Sequence, residues 1–217
     1  METNNPTAAI APIVPDIPIV PDVSIVPIVP RFSFFKAPIT STTPHSVTTL
    51  QTVHTAIIGD DYRDHTKRLR AITDPKQARQ YKAANFDYCT FSGTFTTRSD
   101  KALIQHSNLL CIDFDHIPDL NTLRNHLLQD DYFDTMLLFV SPSGDGLKWI
   151  IPIDTAATNH ADYFHAISNY IKITYDIEID KSCRDVSRAC FLPHDPDAYI
   201  SPSVIATNKP TPLTTNH

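Results

Sequence analysis

The sequence predicts an α+β fold, with a mixed or antiparallel sheet flanked by helices, on three observations. Apolar runs of strand length stand at residues 109–115, 136–140 and 147–153. Asp145-Gly146 lies between the last two runs, and a dipeptide of this kind between β-prone segments is a hairpin signal. Stretches with helical spacing of apolar residues, 120–128 and 162–175, separate the strands, which suits strands and helices mixed in one domain.

In chain order, residues 1–30 stand apart. Pro12-Ile-Val-Pro-Asp16 recurs as Pro18-Ile-Val-Pro-Asp22 and again as Pro27-Ile-Val-Pro-Arg31. Proline fixes φ and removes a donor, so this tract is expected to be extended, polyproline-like and disordered rather than part of the fold. Residues 46–58 and 60–84 read as mostly helical, with a break near Thr73-Asp74-Pro75. Residues 90–97 read as a strand around Gly93, and 109–115 as a second. Asp119 is a plausible N-cap for a helix over 120–128 whose face carries Leu120, Leu123 and Leu127. The helix over 162–175 carries Phe164, Ile167 and Ile171 as its stripe, and 177–179 and 188–192 are expected to be short strands. Thr, Pro and Asn dominate from 202 onward, which predicts a second disordered tail over 202–217. One domain, 31–201, remains, and 217 residues suffice for one buried core.

The net charge of −6 argues against a surface coated in positive field for sliding on duplex DNA, though not against a local basic groove. None of the four cysteines forms a CxxC pair, so they are expected to be buried, reduced thiols. No run approaches the roughly 18 apolar residues of a membrane span, and the proline-broken N-terminus lacks the continuous apolar stretch of a signal peptide. A cytoplasmic protein without membrane contact is expected.

Three stretches carry chemistry. In Leu109-Leu-Cys-Ile-Asp-Phe-Asp-His116 the two aspartates fall on one face of a strand, about 6.5–7 Å apart at Cα. Paired carboxylates repel unless a cation lies between them, and a hard divalent ion such as Mg²⁺ or Mn²⁺ fills that role; the alternative is a strand that ends in a polar turn. In Phe139-Val-Ser-Pro-Ser-Gly-Asp-Gly-Leu-Lys-Trp149 the glycines suit a turn. Ser141, Ser143, Gly144, Gly146 and Lys148 together also suit a phosphate cradle. Further on, Asp180 could supply a third carboxylate to a two-metal site and Arg188 a fork for a triphosphate, or the two could simply pair across a hairpin. Arg63, Lys67, Arg68, Arg70, Lys76, Arg79 and Lys82 supply seven of the 18 positive charges, with only Asp64 and Asp74 opposing them between Arg63 and Lys82. They read as a solvated helix face or as a surface for nucleic-acid backbone; Lys67, Arg68, Arg70, Arg79, Lys82 and Arg98 are the candidate contacts. There is no GxSxG elbow and no P-loop.

Taken in order, the Asp-Phe-Asp strand end, the Ser-Pro-Ser-Gly-Asp-Gly-Leu-Lys-Trp stretch and Ile179-Asp180 followed by Ser187-Arg-Ala-Cys-Phe-Leu-Pro193 resemble the VirE N-terminal domain family. That family is similar to the archaeo-eukaryotic primase, or primase-polymerase, superfamily. Phe91-Ser-Gly-Thr-Phe-Thr-Thr-Arg98 adds to the match, which spans roughly residues 31–200. The resemblance implies a primase-polymerase-like fold and catalytic, metal-binding roles for Asp113, Asp115 and Asp180. It implies that Ser141, Ser143, Gly144, Gly146, Lys148 and Arg188 meet substrate phosphates, with Lys148 where the superfamily has a histidine. The activity implied is nucleotidyl transfer by two metal ions, making a primer from nucleoside triphosphates on a single-stranded template in replication of a mobile or phage-like element. A separate helicase or primase-associated protein would be the partner. The alternative is a weak or inactive nucleotide- or nucleic-acid-binding module that recruits a replicative helicase. On the first reading, replacing Asp113 or Asp115 by Ala is expected to abolish metal binding and any synthesis and leave the fold intact.

Overall fold

The computed structural model describes residues 29–207. The described chain begins with β1 (Phe32–Phe35) and β2 (Ser46–Thr48), followed by α1 (Leu50–Ile58), α2 (Arg63–Arg70) and α3 (Pro75–Asn85). β3 (Tyr88–Thr90), β4 (Gly93–Phe95), β5 (Leu103–His106) and β6 (Leu109–Phe114) come next, then α4 (Leu120–Leu128), β7 (Leu137–Val140) and β8 (Leu147–Pro152). α5 (His160–Tyr175), β9 (Cys190–Phe191), β10 (Tyr199–Ile200) and α6 (Pro202–Thr207) complete it. Among the described residues every strand pairing is antiparallel, in sheets of order β2-β1-β3-β9 and β10-β7-β8-β6 and a hairpin β4-β5. The α+β class with antiparallel sheets flanked by helices is therefore what the chain adopts.

The helices begin where the side chains let them. Thr49, Asp74, Asp119 and Asn159 each accept a hydrogen bond from a first-turn amide of α1, α3, α4 and α5, and Pro75 opens α3 where its missing N–H costs nothing.

The second sheet is buried on both faces, which is why its strands read as near-continuous apolar runs. Leu110, Ile112 and Phe114 of β6, with Leu147, Trp149 and Ile151 of β8, pack against Leu123 and Leu127 of α4 and Phe164, Ile167 and Ile171 of α5. The opposite face, with Leu109, Leu137, Phe139 and Ile150, shares a core with Phe32, Cys89 and Cys190 of the first sheet and Leu50, Val53 and Ile57 of α1. Strand alternation then decides where the polar residues go. Asp113 follows Leu109 and Cys111 onto the face turned to the first sheet, and Lys148 follows Ile150 onto it as well. Register places Asp113 directly opposite Lys148.

Several expected elements differ. The helix expected over 46–58 starts only at Leu50, because Ser46–Thr48 pairs with β1 as β2. The strand expected over 90–97 is divided: β3 joins the first sheet, a turn follows at Phe91 and Ser92, and β4 pairs with β5. Gly93 permits this close approach, since a Cβ there would lie 2.4 Å from the Gln105 carbonyl oxygen. No strand forms over 177–179; Ile179 is instead buried in the helix-side core, and a 3₁₀ turn, Lys181–Arg184, follows. The strand expected over 188–192 is only Cys190–Phe191. The hairpin at Asp145-Gly146 exists, but its loop is the longer stretch 141–146, and the residue with positive φ is Gly144 at 86°. Composition assigns 202 onward to a tail, whereas 202–207 forms α6 with Val204 buried. The tail readings of 1–28 and 208–217 lie outside the described residues, while Val29 and Pro30 line a groove with His106 and Leu109. No helix among the described residues is long and apolar enough to cross a membrane.

Candidate functional site

Where the two sheets part at the ends of β6 and β8, a cleft of about 360 Å³ opens. Asp113, Asp115, Ser141, Ser143 and Lys148 line one side. Lys82 of α3, Arg98, Arg188 and Phe191 of β9 line the other. Two stretches expected to act together are thus brought into one cavity by the antiparallel pairing of β6 with β8. Asp180 stands behind it: its carboxylate, that of Asp113 and the Cys183 thiol offer atoms within 4.8 Å of one another.

The acids already have protein partners. Lys148 Nζ pairs with Asp113 Oδ1, with side chains only 10% and 13% exposed. Arg188 Nη2 lies 2.5 Å from Asp180 Oδ2. Burial pushes the Asp113 carboxyl up, against the pull of Lys148. Burial is the largest influence on Lys148 and would make it easier to deprotonate, but Asp113, Cys190 and Cys111 together outweigh it and hold the ammonium charged above its ordinary range. Lys82 is lowered by burial and then by Lys148, with Asp115 and Asp113 acting in the opposite sense. Two buried atoms in the cleft wall, Ser141 Oγ and Arg98 Nε, have no hydrogen-bond partner. Buried polar atoms left so are costly, and an anionic ligand would satisfy both.

The donor set fits a hard divalent ion. Asp113 and Asp180 converge, and Asp115, exposed on the same strand face, adds a third carboxylate at the cleft. Cys183 suits such an ion less than the carboxylates do, because a hard divalent cation prefers oxygen donors to a soft thiol.

The serine and glycine stretch is a braced loop. Ser141 N–H donates to the Gly146 carbonyl, and Gly144 N–H to that of Ser141. Gly146 is required by contact: a Cβ there would lie 2.1 Å from the Phe114 carbonyl oxygen. Ser141 and Ser143 reach the cleft, while Gly144 and Gly146 shape the loop behind it.

Arg70, a candidate nucleic-acid contact, also has a task inside the fold. Its Nε and Nη2 donate to the carbonyls of Pro142 and Ser141, each at 3.2 Å, so its guanidinium braces the loop. Arg98 stacks over the Tyr88 ring and also lines the cleft. Arg68 lies over Tyr81. Lys67, Arg68 and Arg79 are exposed on α2 and α3, and Lys82 carries that basic surface to the cleft.

Sequence reasoning missed Asp185 and Ser187, which also line the cleft. Ser187 donates from its N–H and Oγ to Asp100 Oδ1, which ties the Arg188 segment down. Its place beside Arg188 was the one available signal. His116 and His194 prove to be loop chemistry: His116 Nδ1 pairs with Asp145 Oδ2 at 2.7 Å, and His194 Nδ1 meets the Gly59 carbonyl at 2.6 Å.

A family model described as BT4734-like, N-terminal domain, matches residues 81–200, a span that contains every cleft-lining residue except Ile39. No curated protein and no solved structure matches the chain.

Proposed function

The chain belongs to the BT4734-like N-terminal domain family, and from that premise we propose that its cleft binds a nucleoside triphosphate with Mg²⁺ or Mn²⁺ and transfers the nucleotidyl group to a primer end. The kinship proposed is with VirE N-terminal domains and primase-polymerases, on the motifs that Asp113, Asp115, Lys148 and Asp180 occupy. One observation carries the reading: carboxylates and four cationic side chains, Lys82, Arg98, Lys148 and Arg188, share a cleft whose wall holds unpartnered buried polar atoms. Such a mixture suits a polyphosphate accompanied by a cation better than either alone.

In this reading Asp113, Asp115 and Asp180 hold the metal, which would supply charge neutralisation and alignment of a 3′-hydroxyl with the α-phosphate. Ser141 and Arg98 donate to phosphate oxygens, and Lys148 and Arg188 offset charge on the departing pyrophosphate. Phe191 lines the cleft beside them, with Lys82 Nζ 5.9 Å from its ring centroid.

Asp115→Asn is the discriminating variant, because Asp115 is exposed and its loss should leave the melting temperature unchanged. Primer extension with Mn²⁺ and ATP or deoxynucleotides on a single-stranded template should fall at least about 100-fold. An Asp115→Asn protein that extends primers like the wild type would refute the metal assignment.

The template is assigned to the exposed basic face of α2 and α3. Replacing Lys67 and Arg79 by Ala should weaken single-stranded DNA binding equally for all sequences and flatten the salt dependence by about 0.7 per lost phosphate contact. Fluorescence anisotropy across a salt series reads this, and an unchanged slope would remove the face from the template path.

The Lys148–Asp113 pair favours a second reading, a nucleotide-binding module that recruits a helicase without catalysing transfer. ATP binding with no incorporation under Mn²⁺ on varied templates would select it.

A further inference from the structure

We propose that Lys148 is a built-in counter-ion that couples the two ligands of the cleft: it holds Asp113 until a polyphosphate draws it away, so metal and polyphosphate bind together rather than singly. Lys148 plays this part only where the cleft takes metal and nucleotide as proposed above.

Register fixes the device. Lys148 on β8 stands directly opposite Asp113 on β6, on the same face, and both side chains are nearly withdrawn from water. A divalent ion approaching Asp113 therefore meets an ammonium already on Oδ1. At a few ångströms and in a low-dielectric setting, that repulsion opposes metal entry. Arg188 repeats the arrangement on Asp180, so both converging carboxylates carry a protein cation.

A polyphosphate changes the balance. It would enter a wall that holds Lys148, Arg188 and the unpartnered Ser141 Oγ. Ser141 follows Phe139 and Leu137 in strand alternation, so its hydroxyl lies on the same side as Lys148. An ammonium drawn towards phosphate leaves Asp113 buried and negative, a state that is costly until another cation arrives. Metal and polyphosphate thus each remove the obstacle to the other, and by linkage the coupling is reciprocal.

Calorimetric titration of MnCl₂ alone, and separately of ATP in EDTA, into wild type and Lys148→Met tests this. Mn²⁺ should bind Lys148→Met on the order of tenfold tighter than wild type, while ATP in EDTA binds it on the order of tenfold more weakly. A lysine that only supported the fold would weaken both ligands or neither. Mn²⁺ affinity that is unchanged or reduced in Lys148→Met overturns the coupling. Lys148→Gln gives the same comparison should the Met variant not fold, since its amide still donates to Asp113 without a charge. A wild type that binds neither ATP nor ATP with Mn²⁺ would instead overturn the nucleotide reading itself, and the coupling with it.

Discussion

Asp113→Ala should lose about 3–5 kcal/mol of stability, the usual result of removing one member of a buried ion pair. The sequence alone predicts an intact fold. The position of Asp113 opposite Lys148 changes that expectation. The ammonium would remain nearly buried beside Cys111 and Cys190, without its carboxylate. A loss of this size is a large part of a typical domain's stability, so a defect in activity of Asp113→Ala alone would say little about a metal. Urea denaturation should show a lower midpoint with little change in slope. Asp113→Asn combined with Lys148→Met removes both charges and should recover most of the loss. An Asp113→Ala protein as stable as wild type would mean that water reaches Lys148 freely.

The sequence disclosed those parts of the fold whose signal is local. β6, β7 and β8 are apolar runs bounded by polar turns, and α4 and α5 show both a stripe and a capping residue. β2, β9 and β10 are two or three residues long and exist because a distant strand pairs with them. Nothing in Cys190-Phe191 itself announces that Tyr88 and Cys89 lie beside it. The site divides in the same way. Asp113 and Asp115 are legible as a pair because strand alternation is a local rule. That Lys148 caps Asp113 depends on a register set by the whole β7-β8-β6 arrangement. The loop contacts of Arg70 were hidden for the same reason: it donates to two carbonyls more than 70 positions away, which leaves no trace in the charge pattern around it.

Stability should also fall as the pH drops from about 6.5 to 4, and His160 contributes to the fall. This residue opens α5 and is only 6% exposed, with Nδ1 3.1 Å from Nε2 of His106. Burial, and then the neighbouring His106, lower its pKa to about 4, and the first turn of a helix is itself a poor place for positive charge. The Cys183 backbone, then Asp100 and Asp185, act in the opposite sense but are outweighed. The unfolded chain protonates the same imidazole near 6.5. Above that value neither state carries the proton, so His160 leaves stability independent of pH. Between 6.5 and 4 the unfolded state binds a proton that the folded state refuses, and stability falls by up to about 1.4 kcal/mol per pH unit. The full loss, about 3 kcal/mol, is reached once the folded imidazole also titrates. His106, lowered by burial, adds to the fall in the same direction. Carboxylates contribute their own acid dependence, so the test is a difference: urea denaturation of wild type and His160→Gln at intervals from pH 7.5 to 4. The variant's curve should be flatter across the window. Two parallel curves would show that His160 takes up its proton in the folded protein as readily as in the unfolded chain.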